Sequence, residues 1–204
     1  MEKLRIVFMG TPEFAVGILD TIIKSNYEVV GVITAADKPA GRGQKLKYSA
    51  VKEYALANNL PLLQPTNLKD ETFLSELKSL NANLQIVVAF RMLPKVVWEM
   101  PTLGTFNLHA SLLPNYRGAA PINWAIINGE TKTGVTTFFI DDKIDTGAMI
   151  LSSETEILET ENAGQLHDRL MDLGSTTVVD TLELIQKGDL TTIVQKDNAD
   201  IKTA

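Results

Sequence analysis

The sequence predicts an α/β fold: an open, mostly parallel sheet with helices on both faces. Three observations point to it. Short apolar runs rich in β-branched residues recur through the first half, as buried parallel strands require. Between them lie stretches with apolar residues at helical spacing, opened by capping residues. The resulting β-α-β-α-β-α-β order calls for a doubly wound sheet with right-handed crossovers.

Leu4 to Met9 is the first strand, ended by Gly10-Thr11-Pro12. Thr11 is the expected N-cap of the next helix, with Pro12 in its first turn and Phe14, Ile18 and Ile22 on its apolar face. Glu28 to Ile33 is the second strand. Ser49 caps a helix carrying Val51, Tyr54, Ala55 and Leu56, and Leu60 to Gln64 is the third strand. Asp70 caps a helix striped by Phe73, Leu74, Leu77 and Leu80, and Leu84 to Ala89 is the fourth strand.

The second half reads differently. Leu103 to His109 is a strand followed by an irregular segment, Ala110 to Gly118. Pro121 to Asn128 is a helix stopped by Gly129. Val135 to Ile140 and Ala148 to Ser153 pair around a loop. Asn162 to Lys187 is one long helix ended by Gly188, with Gly174 the point where it could break. A last strand is expected at Leu190 to Gln195, and a loose polar tail from Lys196 to Ala204.

Composition narrows the classes of function. In 204 residues, 45% are apolar and 22% charged, enough to bury a core without staples. There is no cysteine, which excludes a disulfide scaffold, thiolate metal sites and a cysteine nucleophile. Lys+Arg 19 against Asp+Glu 25 leaves a net charge of -6, against a nucleic-acid coat over the whole surface. No apolar run approaches the ~20 residues that span a bilayer. MEKLRIVFMG reads as a first strand rather than a secretory signal, so a cytoplasmic protein without membrane contact is expected.

Chemistry concentrates in Phe106 to Gly118. Strand residues two apart face one way, so Asn107, His109 and Ser111 share a polar side at the carboxyl end of an apolar strand. In open α/β sheets that end binds ligands. His109 is one of only two histidines; His167, between Leu166 and Asp168, reads as a helix-surface position. Asn107 beside an imidazole is a candidate donor to a developing oxyanion. Ile140 to Gly147 brings three acids, Asp141, Asp142 and Asp145, any of which could orient His109. Their spacing fits no calcium loop, and a metal site is not expected.

Two enzyme readings fare poorly. Ser111, His109 and Asp145 are the residue types of a hydrolase triad, but there is no G-x-S-x-G elbow, and a serine two residues along the same strand lies beside the imidazole. Gly10-Thr11-Pro12-Glu13-Phe14 lacks the dinucleotide G-x-G-x-x-G, which still permits a Rossmann-like sheet without that cofactor. Asp37 to Lys47 carries four cations, Lys38, Arg42, Lys45 and Lys47, in a Gly/Pro-rich surface loop. Within a net acidic chain it suits a basic finger for phosphates.

The combination Asn107-x-His109, Ser111-Leu112-Leu113-Pro114-x-Tyr116-Arg117-Gly118 and Asp145-Thr146-Gly147 resembles the folate-dependent formyltransferases. Phe8 to Ala15, Lys38 to Gly43 and Arg117 to Ile122 resemble the methionyl-tRNA branch of that family, and the similarity runs from about Leu4 to about Gln195. The resemblance implies 10-formyltetrahydrofolate as formyl donor, without a metal, and the α-amine of initiator methionyl-tRNA as acceptor. It implies Asn107, His109 and Asp145 as catalytic, Asp145 being chosen among the acids by its motif position. It implies folate contacts from Ser111, Leu112, Leu113 and Pro114, and a pterin slot from Phe90, Met92 and Leu93 with Asp141, Asp142 and Ile144. Phe90-Arg91 stands where the family often has Tyr-Gly. Lys38, Arg42, Lys45 and Lys47 would meet the tRNA. Residues 1–195 would be a catalytic domain and 196–204 the start of a linker to a smaller domain outside these 204 residues; a monomer is expected. The alternatives are a formyltransferase for another amine (a sugar nucleotide or glycinamide ribonucleotide) and a folate- or tRNA-binding module with little turnover. A dehydrogenase on the same sheet would instead bind a nicotinamide.

Overall fold

The computed structural model describes residues 3–40, 45–196 and 200–204, with the side chains of 38–40 and 45–46 left aside. The chain forms two compact units, Lys3–Thr105 and Phe106–Ala204. The expected α/β class holds: the strands of the first unit form an open, parallel, Rossmann-like sheet, and the second unit supplies antiparallel strands.

In the first unit β1 (Arg5–Gly10), α1 (Glu13–Lys24) and β2 (Glu28–Ile33) form a βαβ crossover. A small hairpin of β3 (Lys38–Ala40) and β4 (Lys45–Lys47) follows, then α2 (Ala50–Ala57) and β5 (Leu62–Leu63). Helix α3 (Glu71–Ser79), β6 (Leu84–Val88) and the short α4 (Lys95–Trp98) complete it. The spatial order is β5-β2-β1-β6. Right-handed crossovers from β1 to β2 and β2 to β5 put α1 and α2 on one face; the jump back to β6 puts α3 on the other. The order reverses between β1 and β6, the kind of switch point where such sheets bind ligands. Ile6 to Met9 and all of β6 are buried. The one amide in β6, Gln85, accepts from Thr105 Oγ1 at 3.0 Å, which removes the cost of an unpaired polar group in the core.

The second unit contains β7 (Thr105–His109) from Phe106 onward, α5 (Pro121–Ile127), β8 (Lys132–Phe139), β9 (Met149–Glu156) and α6 (Ala163–Lys187). Strands β7, β8 and β9 pair antiparallel, and α6 buries Leu166, Leu170, Val178 and Leu182. A capping box opens α6: Asn162 accepts from Gln165 N, and the Gln165 side chain accepts from Asn162 N.

Several expectations need correction. Pro12, not Thr11, is the N-cap of α1, and no side chain caps it. Helix α6 runs unbroken past Gly174, which is buried, because close packing outweighs the weak helix propensity of glycine. The third strand shrinks to Leu62–Leu63. The basic loop is a paired hairpin, with Lys38 opposite Lys47. The last strand reduces to one bridge between Ile193 and Met149. The tail is docked rather than loose: Tyr116 N donates to Lys202 O, and Ala204 N donates to Arg117 O at 2.9 Å.

Candidate active site

Strand β7 delivers Asn107 and His109 in alternate positions, paired with Phe138 and Thr136 of β8. His109 is buried. Its Nε2 lies 2.7 Å from the Tyr116 carbonyl oxygen. A carbonyl only accepts, so Nε2 carries the hydrogen and Nδ1 is the atom free to gain or lose a proton. Nδ1 faces Asp145 Oδ2 at 3.7 Å, within ion-pair range but longer than a hydrogen bond. Among the described residues, Asn107 Oδ1 is the one buried side-chain polar atom without a partner. Such an orphan costs about 1–3 kcal/mol. A half-turn of the amide exchanges oxygen for N–H donors in the same place.

The acidic loop discriminates among its three carboxylates. Asp141 is absorbed by the loop itself, accepting from Lys143 N at 3.0 Å and Thr146 Oγ1 at 2.8 Å. Asp142 is exposed. Asp145 faces His109 and also accepts the Gly118 N–H at 2.9 Å. It adopts a left-handed backbone, φ 53°, which an aspartate tolerates better than most residues. Gly147 then passes so close to the preceding strand that a Cβ would sit 1.6 Å from the Phe139 carbonyl oxygen.

The segment after β7 is fixed by short local bonds. Ser111 lies beyond the strand, fully buried, and its hydroxyl donates to the Asn115 carbonyl at 2.7 Å. It therefore does not line up with Asn107 and His109, as strand alternation had suggested. Thr136 Oγ1 donates to the Ser111 carbonyl at 2.8 Å and accepts from Leu113 N at 3.2 Å. Leu113 is buried; Leu112 and Pro114 are half-buried. The Tyr116 hydroxyl donates to Glu130, which also accepts from Lys202. The Lys202 ammonium, then the Tyr116 hydroxyl, hold Glu130 below the usual carboxylate range. Burial, then the bond to Glu130, pushes the Tyr116 phenol up.

In the first unit, Phe90, Met92 and Leu93 follow the carboxyl end of β6, beside the switch point. Phe90 is half-buried, Met92 64% exposed and Leu93 buried. Arg91 is turned away, donating to the Thr66 carbonyl at 3.0 Å. Ile144 of the second unit is 62% exposed. Lys38 and Lys45 lie on the paired strands of the basic hairpin, Lys47 is exposed, and Arg42 falls outside the described residues. Lys52, whose ammonium is 2.5 Å from Asp37 and stacks over Tyr48, anchors the base of that hairpin. Among the described residues no group of three His, Cys, Asp or Glu could hold a metal ion, and no helix is long and apolar enough to cross a membrane.

Sequence reasoning missed the groups that hold the site. Tyr116 supports the imidazole through its main-chain carbonyl, which carries no side-chain signature. Gln195 reaches it from the end of the expected last strand and Lys202 from the polar tail, and neither side chain carries a local signature of that contact.

The geometry has independent counterparts. A family profile described as formyl transferase matches residues 4–182. The chain is 86% identical over 204 residues to "Methionyl-tRNA formyltransferase" of Flavobacterium johnsoniae, covering all of this chain and 65% of that protein. The crystal structure of glycinamide ribonucleotide transformylase 1 from Symbiobacterium toebii has the same fold, with TM-score 0.75 at 18% identity over 95% of this chain and 94% of that one. That of WlaRD, a sugar 3N-formyl transferase in the presence of dTDP and 5-N-formyl-THF, gives TM-score 0.72 at 25% identity over 100% of this chain and 70% of that one. With a carboxamide, an imidazole and a carboxylate grouped on the strand end and turn that the motif residues occupy, and a profile match covering most of its length, the chain belongs to the formyl transferase family.

Proposed function

We propose that the chain catalyses formyl transfer from 10-formyltetrahydrofolate to the α-amine of methionine on initiator tRNA, in the cytoplasm, for translation initiation. The observation that carries the reading is the unpaired, buried carboxamide oxygen of Asn107 on the strand that holds His109, with Asp145 beyond the ring. It is supported by the name of the 86% identical relative, of which this chain spans 65%.

The folate supplies an activated formyl group whose oxygen becomes anionic when an amine adds to its carbon. Asn107, its amide turned to present N–H, donates to that oxygen; one such donor contributes about 10²–10³ in rate. His109 moves the amine proton toward the leaving nitrogen through Nδ1, because Tyr116 keeps Nε2 protonated. Asp145, 3.7 Å from Nδ1, orients the ring. No side chain need form a covalent intermediate. Ser111 to Pro114 are assigned to the folate, as are Asp141, Asp142 and Ile144, with Phe90, Met92 and Leu93 assigned to its pterin. Lys38, Arg42, Lys45 and Lys47 are assigned to the tRNA acceptor end. Lys38 and Lys47 are register partners on the hairpin.

The test is a side-by-side assay of three acceptors with 10-formyltetrahydrofolate: methionyl-tRNA, an amino-sugar nucleotide and glycinamide ribonucleotide. Preferred transfer to methionyl-tRNA is expected. Preference for either small amine would reassign the acceptor.

A further inference from the structure

Residues 189–196 follow α6 and lie beyond the part of the chain matched by the family profile. The segment is mostly exposed: Ile193 is 61% and Val194 75% exposed. Gln195, half-buried, turns its side chain toward the Asp145 turn. Gln195 Nε2 donates to the main-chain carbonyls of Asp145, at 3.0 Å, and Gly147, at 2.8 Å. Its Oε1 accepts from Arg117 Nε at 3.1 Å and Nη2 at 2.8 Å. Both hydrogens and both lone pairs of the carboxamide are thus used. Surface glutamines do not ordinarily reach that state, because ordering so flexible a side chain costs more than one exposed bond returns.

The two groups joined are the ones that set the direction of the Asp145 carboxylate. The Asp145–Gly147 turn carries it, in a left-handed backbone. Arg117 precedes Gly118, whose N–H is bonded to Asp145 Oδ2 at 2.9 Å. We infer that Gln195 is a positioning residue that clamps the Asp145 turn to the Arg117–Gly118 segment and so keeps the Asp145 carboxylate aimed at His109. It touches neither reacting atom. The kinetic part of the inference rests on the formyl-transfer reading above; the clamp itself does not.

Two variants test it. Gln195→Met keeps the shape and removes every polar contact. Gln195→Glu keeps an acceptor for Arg117 but loses both donors to the turn. Both should lower kcat about 10- to 100-fold, as small misplacements at reacting groups do, while KM for 10-formyltetrahydrofolate stays within about twofold. The amide hydrogen of Gly118, which reports the bond to Asp145 without any catalysis, should exchange about tenfold faster, with β8 amides unchanged. Wild-type Gly118 exchange, wild-type kcat in Gln195→Glu, or a loss confined to KM would overturn the inference. If the native chain transferred no formyl group to any acceptor, the functional reading would fail while Gly118 exchange still decided the clamp.

Discussion

The ring nitrogen Nε2 of His109 is bound by the main-chain carbonyl of Tyr116 at 2.7 Å. The imidazole is thereby fixed in one tautomer, and Nδ1 alone can exchange a proton. The hydrogen on Nε2 should be visible in a long-range proton–nitrogen spectrum of the free protein. A signal from the Nδ1–H tautomer would contradict the assignment.

Asn107 is expected to cost stability and contribute rate. Asn107→Ala removes a buried acceptor that nothing satisfies, so the thermal midpoint should hold or rise slightly. Transfer should fall about 10²–10³-fold. A variant that unfolds several degrees earlier at unchanged activity would show that the side chain is structural.

Glu130 links the tail to the site loop, and its effect should vary with pH. Its folded pKa lies below the usual value because Lys202 and Tyr116 stabilise the carboxylate. Its contribution is therefore full above the ordinary glutamate pKa of ~4.3 and is lost as pH falls through the lower folded value. Glu130→Gln should melt below wild type at pH 7, and the gap should close as the pH drops below about 4. An equal gap at every pH would remove the ionic part of this account.

Gly147→Ala places a methyl group 1.6 Å from the Phe139 carbonyl oxygen. The strand and turn must part, and a loss of about 1–3 kcal/mol or more is expected in urea unfolding. Unchanged stability would mean that the turn is not constrained.

Lys47 is the exposed cation of the basic hairpin whose residue is fully described. Lys47→Ala should raise KM for methionyl-tRNA, leave KM for the folate alone, and flatten the salt dependence by about 1 in log–log slope. A salt slope equal to wild type would place the tRNA elsewhere.

How much of this could be read in the chain depended on the kind of signal. The β1-α1-β2 unit was legible because five consecutive buried residues and a helical stripe leave a pattern in side-chain type. Ser49 and Asp70 were legible as caps because their side chains do the capping. Asn107 and His109 stood out as polar groups on an apolar strand, whereas Asp145 was one of three acids in its loop and was singled out only by its motif position. The carbonyl of Tyr116 and the main-chain pairing of Arg117 with Thr203 could not be foreseen, since any residue supplies a carbonyl. Gln195 was hidden because one amide at the end of an expected strand looks like any other. The hairpin at Lys38–Lys47 was hidden because Pro39 and the glycines read as loop.

The claim beneath all of these is that His109 and Asp145, 3.7 Å apart, act on the transferred group as one unit. A double-variant cycle tests it directly, through transfer rates of His109→Asn, Asp145→Asn and the pair together. The account predicts that the double variant is no slower than the worse single one, because either change disables the same proton path. Losses that multiply would contradict it.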